Sequence, residues 1–390
     1  MINQRLAALC LVLLLSACTS VVQLKEDLSE RVFGRELAKD MSELTDIAKP
    51  TVQGKVLWQT SLSPSLDYDF TPALSDGFVY AASLKGDVIK INAASGQIVW
   101  RIDAGDALTG GVAVGEGKLL LGSEKGYLMA FDLNGKALWK TKLSSQVLSV
   151  PVIDGKLAVV RCGDSRIYGI QMTDGSRKWL YERSNPTLTI RSSAGVTVGD
   201  GFAYAGFAGG KMVAIRVEDG KPVWEVSVAQ PKGTTEIERI ADITSSPVID
   251  GALVYAVAYQ GKVAAVERGS GRVIWNRDIS SYTGLDADGG KVFIAHANSA
   301  VYALDYASGK TFWRQGDLKQ RRISAPMPLD NAVVVGDVEG YLHFLSRDDG
   351  SFLGRMQANS APVMPKLIPL GKNSFIAQSR NGDVYAVNIK

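Results

Sequence analysis

The sequence predicts an all-β protein, an eight-bladed β-propeller built from four-stranded antiparallel blades. Three observations support this fold. A short cassette that ends in tryptophan recurs along the chain, turn signals divide each repeat into four short segments, and one surplus strand at the front can complete the last repeat. A period of about 40 residues without helical periodicity is typical of a propeller.

The cassette has the form Gly-x-x-x-Trp and contains all 7 tryptophans of the chain. Successive tryptophans are 38 to 51 residues apart. An eighth copy begins at Gly350 and has Gly354 where the tryptophan would stand. Because large aromatics at a fixed place in each repeat are suited to filling the space between elements, we predict that they pack between neighbouring blades. The seven are Trp58, Trp100, Trp139, Trp179, Trp224, Trp275 and Trp313.

Three turns separate four strands, A to D, in each repeat. In the first repeat the turn signals are Asp76-Gly77, Lys85-Gly86 and Ser95-Gly96. Asp-Gly and Asn-Gly between alternating apolar runs favour a type I′ hairpin turn, which requires positive φ at both central residues. We therefore expect type I′ turns in the cassettes.

The number of strands indicates how the ring closes. Eight A-B-C sets begin near Pro72, Gly111, Val150, Ala194, Pro247, Thr283, Ala325 and Pro362. Seven of them are followed by a D strand, and the last ends at Lys390 without one. A surplus D strand stands at residues 55–60. We predict that this N-terminal strand pairs with the C-terminal blade, which removes open edges and locks the ring.

The front of the chain has the features of a lipoprotein. Arg5 precedes an apolar run at 6–15, and Leu15-Ser16-Ala17-Cys18 resembles the lipobox, in which the cysteine is acylated. This predicts a signal peptide at 1–17, a lipidated Cys18 followed by a flexible periplasmic tether to residue 50, and a propeller at 51–390. Thr19 in place of Asp implies the periplasmic face of the outer membrane in a Gram-negative bacterium.

Little in the composition points to catalysis or to nucleic acid. The net charge is +3 from 43 basic and 40 acidic residues, and no basic run contains interleaved aromatics, so we predict no nucleic-acid partner. His296 and His343 lie in different repeats, and Cys162 is the lone cysteine of the propeller. The sequence therefore predicts no metal site, no cofactor and no enzyme.

Two adjacent repeats are longer than the others. Their excess falls just after strand D, at 180–193 and 225–246. Because strands alternate in direction, D-to-A and B-to-C connections lie on one face, and loops longer than the repeat needs often bind partners. Mixed charges and aliphatics favour a protein-docking rim; the alternative is long solvated loops. The candidates are Leu188, Ile190, Arg191, Glu236, Arg239, Ile240 and Asp242, with Lys319, Arg321 and Arg322 from a third connection at 315–323.

The repeats resemble the quinoprotein type, most clearly at residues 302–313, and the whole chain resembles the BamB family of the β-barrel assembly machinery. Residues 188–191 are similar to that family's Leu-Thr-Leu-Arg loop, with Ile190 for Leu. Residues 239–247 are similar to its Arg-Leu-Ser-Asp-Val-Asp-Thr-Thr-Pro segment, with Asp242 kept and Thr244 in place of the second Asp.

The resemblance implies a non-catalytic lipoprotein scaffold that assists folding and insertion of outer-membrane proteins. It implies docking to the POTRA domains of a BamA-like barrel subunit through partner-binding residues Leu188, Ile190, Arg191, Arg239 and Asp242. Unfolded outer-membrane proteins are further expected clients. Two alternatives are an envelope scaffold with another partner and a quinone-dependent periplasmic dehydrogenase. Those enzymes are longer chains, and many have adjacent paired cysteines, whereas Cys162 is the only cysteine of the predicted propeller.

Overall fold

The computed structural model describes residues 41–363 and 365–390, which form eight four-stranded antiparallel sheets. Blades 1 and 2 comprise β2 (Ala73–Ser75), β3 (Phe78–Ala82), β4 (Asp87–Asn92), β5 (Ile98–Asp103), β6 (Leu108–Gly115), β7 (Lys118–Ser123), β8 (Tyr127–Asp132) and β9 (Ala137–Lys142). Blades 3 and 4 comprise β10 (Val152–Asp154), β11 (Leu157–Arg161), β12 (Ile167–Gln171), β13 (Arg177–Tyr181), β14 (Val196–Gly199), β15 (Phe202–Gly206), β16 (Lys211–Arg216) and β17 (Pro222–Ser227), with a 3₁₀ turn at Ala208–Gly210.

Blades 5 and 6 comprise β18 (Val248–Asp250), β19 (Leu253–Val257), β20 (Val263–Glu267), β21 (Val273–Arg277), β22 (Gly284–Asp288), β23 (Lys291–Ala295), β24 (Val301–Asp305) and β25 (Thr311–Gln315). Blades 7 and 8 comprise β26 (Met327–Pro328), β27 (Ala332–Gly336), β28 (Tyr341–Ser346), β29 (Phe352–Gln357), β30 (Ile368–Gly371), β31 (Ser374–Gln378), β32 (Asp383–Ile389) and β1 (Gly54–Ser61). The eight-bladed propeller is confirmed.

The ring closes as the strand count predicts. β1 pairs antiparallel with β32, from Gly54 opposite Ile389 to Ser61 opposite Asp383. The fourth strand of blade 8 therefore comes from the other end of the chain. The hydrophobic core is divided into eight clusters, each shared by two neighbouring blades, which explains why the inner strands B and C are buried on both faces.

Each tryptophan joins its blade to the next one. The indole Nε1–H of Trp58 in blade 8 donates to the carbonyl of Ala93 in blade 1 at 2.8 Å. A Cβ atom on Gly96 would lie 2.5 Å from the Trp58 side chain. The glycine and tryptophan recur together because the glycine of one blade accommodates the indole of the preceding blade. The other six indoles donate to the carbonyls of Leu133, Met172, Val217, Arg268, Tyr306 and Arg347.

The missing eighth tryptophan has a structural reason. The chain that leads into β1 crosses blade 7 at Gly354, where a Cβ atom would overlap the carbonyl oxygen of Val52. The backbone N–H groups of Thr51 and Val52 donate to the carbonyl of Leu353 at 2.8 and 3.0 Å. The N-terminal segment thus occupies the place of an indole, and glycine is the side chain that leaves room for it.

The cassette turns differ from the prediction. In the first repeat, Gly96 has a φ of 74°, while Ser95 is not left-handed, so the turn is not type I′. The strand pair has a register shift next to this turn, which is typical of a longer turn followed by a bulge. Type I′-like geometry occurs instead between strands A and B, where Asp76 and Gly77 have φ values of 51° and 77°.

The last part of the segment assigned to the tether lies on blade 7. The backbone N–H of Ser42 donates to the carbonyl of Lys319 at 3.0 Å, and its own carbonyl accepts from Arg321. The carbonyl of Thr45 accepts from Arg355 at 3.1 Å, and Leu44 packs on the core shared by blades 6 and 7. The propeller therefore holds the chain from about residue 42 onward, and not only from residue 51.

Candidate docking site

Two long D-to-A connections dominate one face of the ring, which we call the loop face. The first long loop is residues 182–195, between β13 and β14, and the second is 228–247, between β17 and β18. The backbone N–H of Ile190 in the first donates to Oδ2 of Asp242 in the second at 2.8 Å. Oδ1 accepts from the backbone N–H of Gly209, in a B-to-C connection, at 3.0 Å. The sequence correctly places both kinds of connection on one face.

Asp242 does not belong to an exposed rim, contrary to expectation. Its exposed fraction is only 4%, and both carboxylate oxygens accept backbone hydrogen bonds. A buried carboxylate with these bonds stabilises the conformation of the loops, because it accepts from backbone N–H groups that would otherwise lack a hydrogen-bond partner. Asp242 is therefore placed to position the first long loop and does not itself present a charge to a partner.

A buried arginine balances this carboxylate. Arg161 donates to the carbonyl of Gly206 at 2.6 Å, and its guanidinium lies 4.9 Å from the ring centre of Phe207. Burial lowers the pKa of Arg161 to about 10, an effect that the charge of Asp242 opposes. The negative charge of Asp242 thus offsets part of the cost of burying the Arg161 guanidinium beneath the loop face.

Arg191 is the exposed cation of the first long loop. Its guanidinium lies 5.0 Å from the ring centre of Tyr68, and Nη2 donates to Oε1 of Gln146 at 3.3 Å. Tyr68 in turn donates to Glu124 at 3.2 Å. These contacts come from other blades and hold the arginine at the loop face, where its charge stays open to a partner.

Aliphatic side chains flank this arginine. Leu188 is 43% exposed, whereas Ile190 is half-buried and faces the central channel. In the second long loop Ile237 is 67% exposed. Sequence reasoning did not single out Ile237, although an isoleucine between Glu236 and Glu238 in a loop is a usable signal.

The remaining predicted residues separate into exposed and buried groups. Arg239 is exposed and lies 4.0 Å from the carboxylate of Glu236, so it remains available for docking. Thr244, which replaces the family's second Asp, is buried and donates its hydroxyl to the carbonyl of Tyr282 at 3.0 Å. The hydroxyl thus ties the second long loop to blade 6 without a second buried carboxylate.

The third connection contributes less to the rim than its sequence suggests. Arg321 is 1% exposed, donates to Asp337 at 2.7 Å and pairs with Glu339. Together with its bond to Ser42, this places Arg321 in the attachment of the N-terminal segment. The expectation that Arg321 is a docking cation is therefore wrong, because its donors are already used internally.

A channel runs through the ring and opens between the long loops. Its volume is about 1330 Å³, and the A strands line it with aliphatic side chains such as Val152, Val196 and Leu285. Ile190, Arg191 and the second long loop border it at the loop face. The long loops thus lie at the mouth of the channel.

Within residues 41–363 and 365–390, no group of three or more His, Cys, Asp or Glu side chains is arranged to hold a metal ion. Cys162 is buried, and burial raises the pKa of its thiol to about 12. His343 is fully buried between Asp337 and Arg355. Cys18 lies outside the described residues.

Comparison with known proteins identifies the family. A family model described as outer membrane protein assembly factor BamB matches residues 40–108 and 85–315. An outer membrane protein assembly factor BamB of Nitrosomonas eutropha is 37% identical over 389 residues, which cover 99% of this chain and 95% of the relative. The chain belongs to the BamB family. This confirms the resemblance drawn from the repeats and the loop motifs.

Solved structures agree with this family assignment. The crystal structure of BamB from Moraxella catarrhalis superposes with a TM-score of 0.79 at 26% identity, covering 86% of this chain and all of that one. Quinohemoprotein alcohol dehydrogenase from Comamonas testosteroni gives a TM-score of 0.68 at 14% identity, covering 89% of this chain and 78% of the other. At that identity the likeness to the dehydrogenase concerns the fold alone.

Among the described residues, none of the helical structure is long and apolar enough to cross a membrane.

Proposed function

We propose that this BamB-family protein is a non-catalytic scaffold of the outer-membrane β-barrel assembly complex, and that it docks through its loop face to the POTRA domains of a BamA-like subunit. The observation that supports this most strongly is the convergence of Leu188, Arg191 and Ile237 on one face, held there by contacts from several blades. An exposed arginine beside exposed aliphatics has the chemistry of an interface anchor.

The mechanism we propose is positional. The rigid ring presents Arg191 and Leu188 to the partner, and the buried Asp242 fixes the loop that carries them. Because the loop is already ordered, docking would require little additional ordering on the side of this protein. Arg239 would contribute a charge at the periphery, where exposed ion pairs add little affinity.

Anchoring belongs to the same proposal. Acylation of Cys18 would attach the chain to the periplasmic face of the outer membrane, and a tether would connect that anchor to the propeller. The contacts of Ser42 and Thr45 with blade 7 support a short connection, because they fix where the chain joins the ring.

Affinity capture of the full-length protein from its own membranes tests the docking. Mild detergent extraction followed by mass spectrometry should recover a POTRA-containing barrel subunit. Arg191→Ala should reduce this recovery, with a weakening of Kd of roughly 30-fold, or about 2 kcal/mol. The matched control is Arg272→Ala, an exposed arginine in a C-to-D turn on the opposite face. Unchanged recovery with Arg191→Ala would overturn the assignment.

Contacts with unfolded clients form a second proposal. The D strands pair on one side only, and the residue before the tryptophan is exposed at several of them, including Leu57 at 49%, Val99 at 52% and Phe312 at 51%. Open strand edges with apolar side chains can accept an extended chain by β-augmentation. Charged replacements at Val99 and Phe312 should weaken crosslinking to unfolded outer-membrane proteins without affecting capture of the barrel subunit. Equal crosslinking would contradict this second proposal.

A further inference from the structure

The connection between blades 8 and 1 presents an unusual leucine at the loop face. Leu66 is 61% exposed, and its φ of 50° lies in the left-handed region. It stands at the tip of a turn in which the backbone N–H of Tyr68 donates to the carbonyl of Ser65 at 3.1 Å. Leucine is unfavourable in this conformation, which glycine and asparagine tolerate better.

Packing within the fold does not account for this residue. Most of the side chain faces solvent, so the burial that normally compensates a strained backbone is small. Strained residues that persist in a fold tend to cluster at binding sites. The combination of an exposed aliphatic side chain and a disfavoured backbone therefore suggests a contact with another molecule.

The turn is held firmly in place. Arg380, from a B-to-C connection of blade 8, donates through Nη1 to the carbonyl of Leu66 at 2.5 Å. Its Nη2 donates to Asp69 at 2.9 Å, and its backbone carbonyl accepts from Ser65 at 2.9 Å. Three bonds from one residue hold the turn that carries Leu66, as is expected of a preorganised binding element.

The same turn is continuous with the first long loop. The ring of Tyr68 lies against Arg191, 5.0 Å from the guanidinium carbon. Oγ of Ser193 donates to Oδ2 of Asp69 at 2.9 Å. Residues 66–69 therefore form one surface with the loop that carries the proposed docking arginine. The two segments are far apart in the chain, because Asp69 and Ser193 are the two ends of a 125-residue stretch.

We propose that Leu66 is a further apolar anchor of the docking interface, contacted by the same protein partner as Leu188 and Arg191. This inference rests on the proposed docking function. The partner must then offer an apolar groove for Leu66 and Leu188 and a carboxylate for Arg191. A desolvated aliphatic anchor beside a charge-assisted pair gives the complex both affinity and a fixed register.

Site-specific photo-crosslinking in the full-length, membrane-bound protein tests the inference. A photoreactive residue is placed at position 66, at 188 as the proposed interface, and at 74 as a control. Leu74 is a 36% exposed leucine in strand A of blade 1, next to its A-to-B turn on the opposite face. We expect crosslinks to the POTRA-containing subunit from 66 and 188 and none from 74. A crosslink from 188 without one from 66 overturns the inference and leaves the docking proposal intact. No crosslink from either position overturns both.

Leu66→Asn separates an interface role from a structural one. Asparagine accepts the left-handed backbone and removes the aliphatic side chain, so the melting temperature should equal or exceed that of the parent. The Kd for the barrel subunit should weaken about tenfold. Parental affinity in Leu66→Asn, with Arg191→Ala still impaired, would show that Leu66 is not an anchor. A lowered melting temperature would show that the leucine serves the fold.

Discussion

Oδ2 of Asp242 lies 2.8 Å from the backbone nitrogen of Ile190 and so joins two loops whose residues are 52 positions apart in the chain. The first long loop therefore owes its shape to a carboxylate that is itself buried. Because Leu188 and Arg191 flank the bonded residue, the proposed docking depends on a buried side chain that orients the loop.

Removing this carboxylate should impair the fold and the docking together. Asp242→Ala leaves the N–H groups of Ile190 and Gly209 without their acceptor, and it leaves Arg161 with less compensation for its burial. We expect a loss of about 2–4 kcal/mol in the free energy of unfolding, measured by urea denaturation, and weaker capture of the barrel subunit. Arg191→Ala is the matched variant, since it should weaken capture at parental stability. Parental stability in Asp242→Ala would contradict the positioning role.

The contact between each tryptophan and the glycine of the next blade predicts that Trp179→Phe and Gly220→Ala, two substitutions at one such contact, differ in how much stability they cost. Trp179→Phe removes the donor to the carbonyl of Val217 at 2.7 Å but keeps an aromatic ring, so we expect a loss of about 1–2 kcal/mol. Gly220→Ala places a Cβ atom 2.6 Å from the ring of Trp179 at a φ of 75°, and the loss should be larger, about 2–4 kcal/mol. Urea denaturation would measure both. A smaller loss for Gly220→Ala would contradict the close approach.

The repeat period predicts the ring because each blade is a local unit, and its turns and its tryptophan all lie within about 40 residues of sequence. Long-range contacts are not encoded in that period. Val52 contacts Gly354, and Asp242 accepts a hydrogen bond from Ile190, across long separations in the chain. The sequence therefore shows that a tryptophan is missing at 354 and that residue 242 is acidic, but it does not show what surrounds either position. The exposed Leu66 was missed for the same reason, since neither its backbone angle nor its contact with Arg380 is visible in the sequence.

Restoring the missing tryptophan should detach the N-terminal segment. Gly354→Trp puts a side chain where the carbonyl of Val52 lies, and it would break the bonds that Thr51 and Val52 donate to Leu353. We expect faster proteolytic cleavage near residue 50 at native conditions and a loss of about 1–3 kcal/mol in stability. Gly371→Trp is a suitable control, because a Cβ atom there meets nothing within 4 Å. Equal cleavage rates in the two variants would contradict the displacement.

Acidification should weaken blade 7 through a buried histidine. Nε2 of His343 lies 2.9 Å from Asp337, and Nδ1 accepts from Nε of Arg355 at 3.0 Å, so the neutral imidazole satisfies both neighbours. Burial lowers the pKa of His343 below the ordinary 6.5, with Asp337 opposing the shift. Burial alone would raise the pKa of Asp337, but bonds from His343 and Arg321 hold it below 3.8.

The lowered pKa values of His343 and Asp337 both reduce the stability of the folded protein as the pH falls. Below 6.5 the unfolded chain gains a proton at His343 that the folded chain does not, so stability is full above that pH and declines below it. The slope for one proton is at most about 1.4 kcal/mol per pH unit. His343→Gln keeps a donor and an acceptor without titrating, so urea midpoints between about pH 7 and about pH 5 should change less than in the parent. His296→Gln is the matched control: burial also lowers the pKa of His296, but this side chain is only half-buried, so its replacement should flatten the profile less. An unchanged profile in His343→Gln would show that the imidazole titrates alike in the folded and unfolded chains.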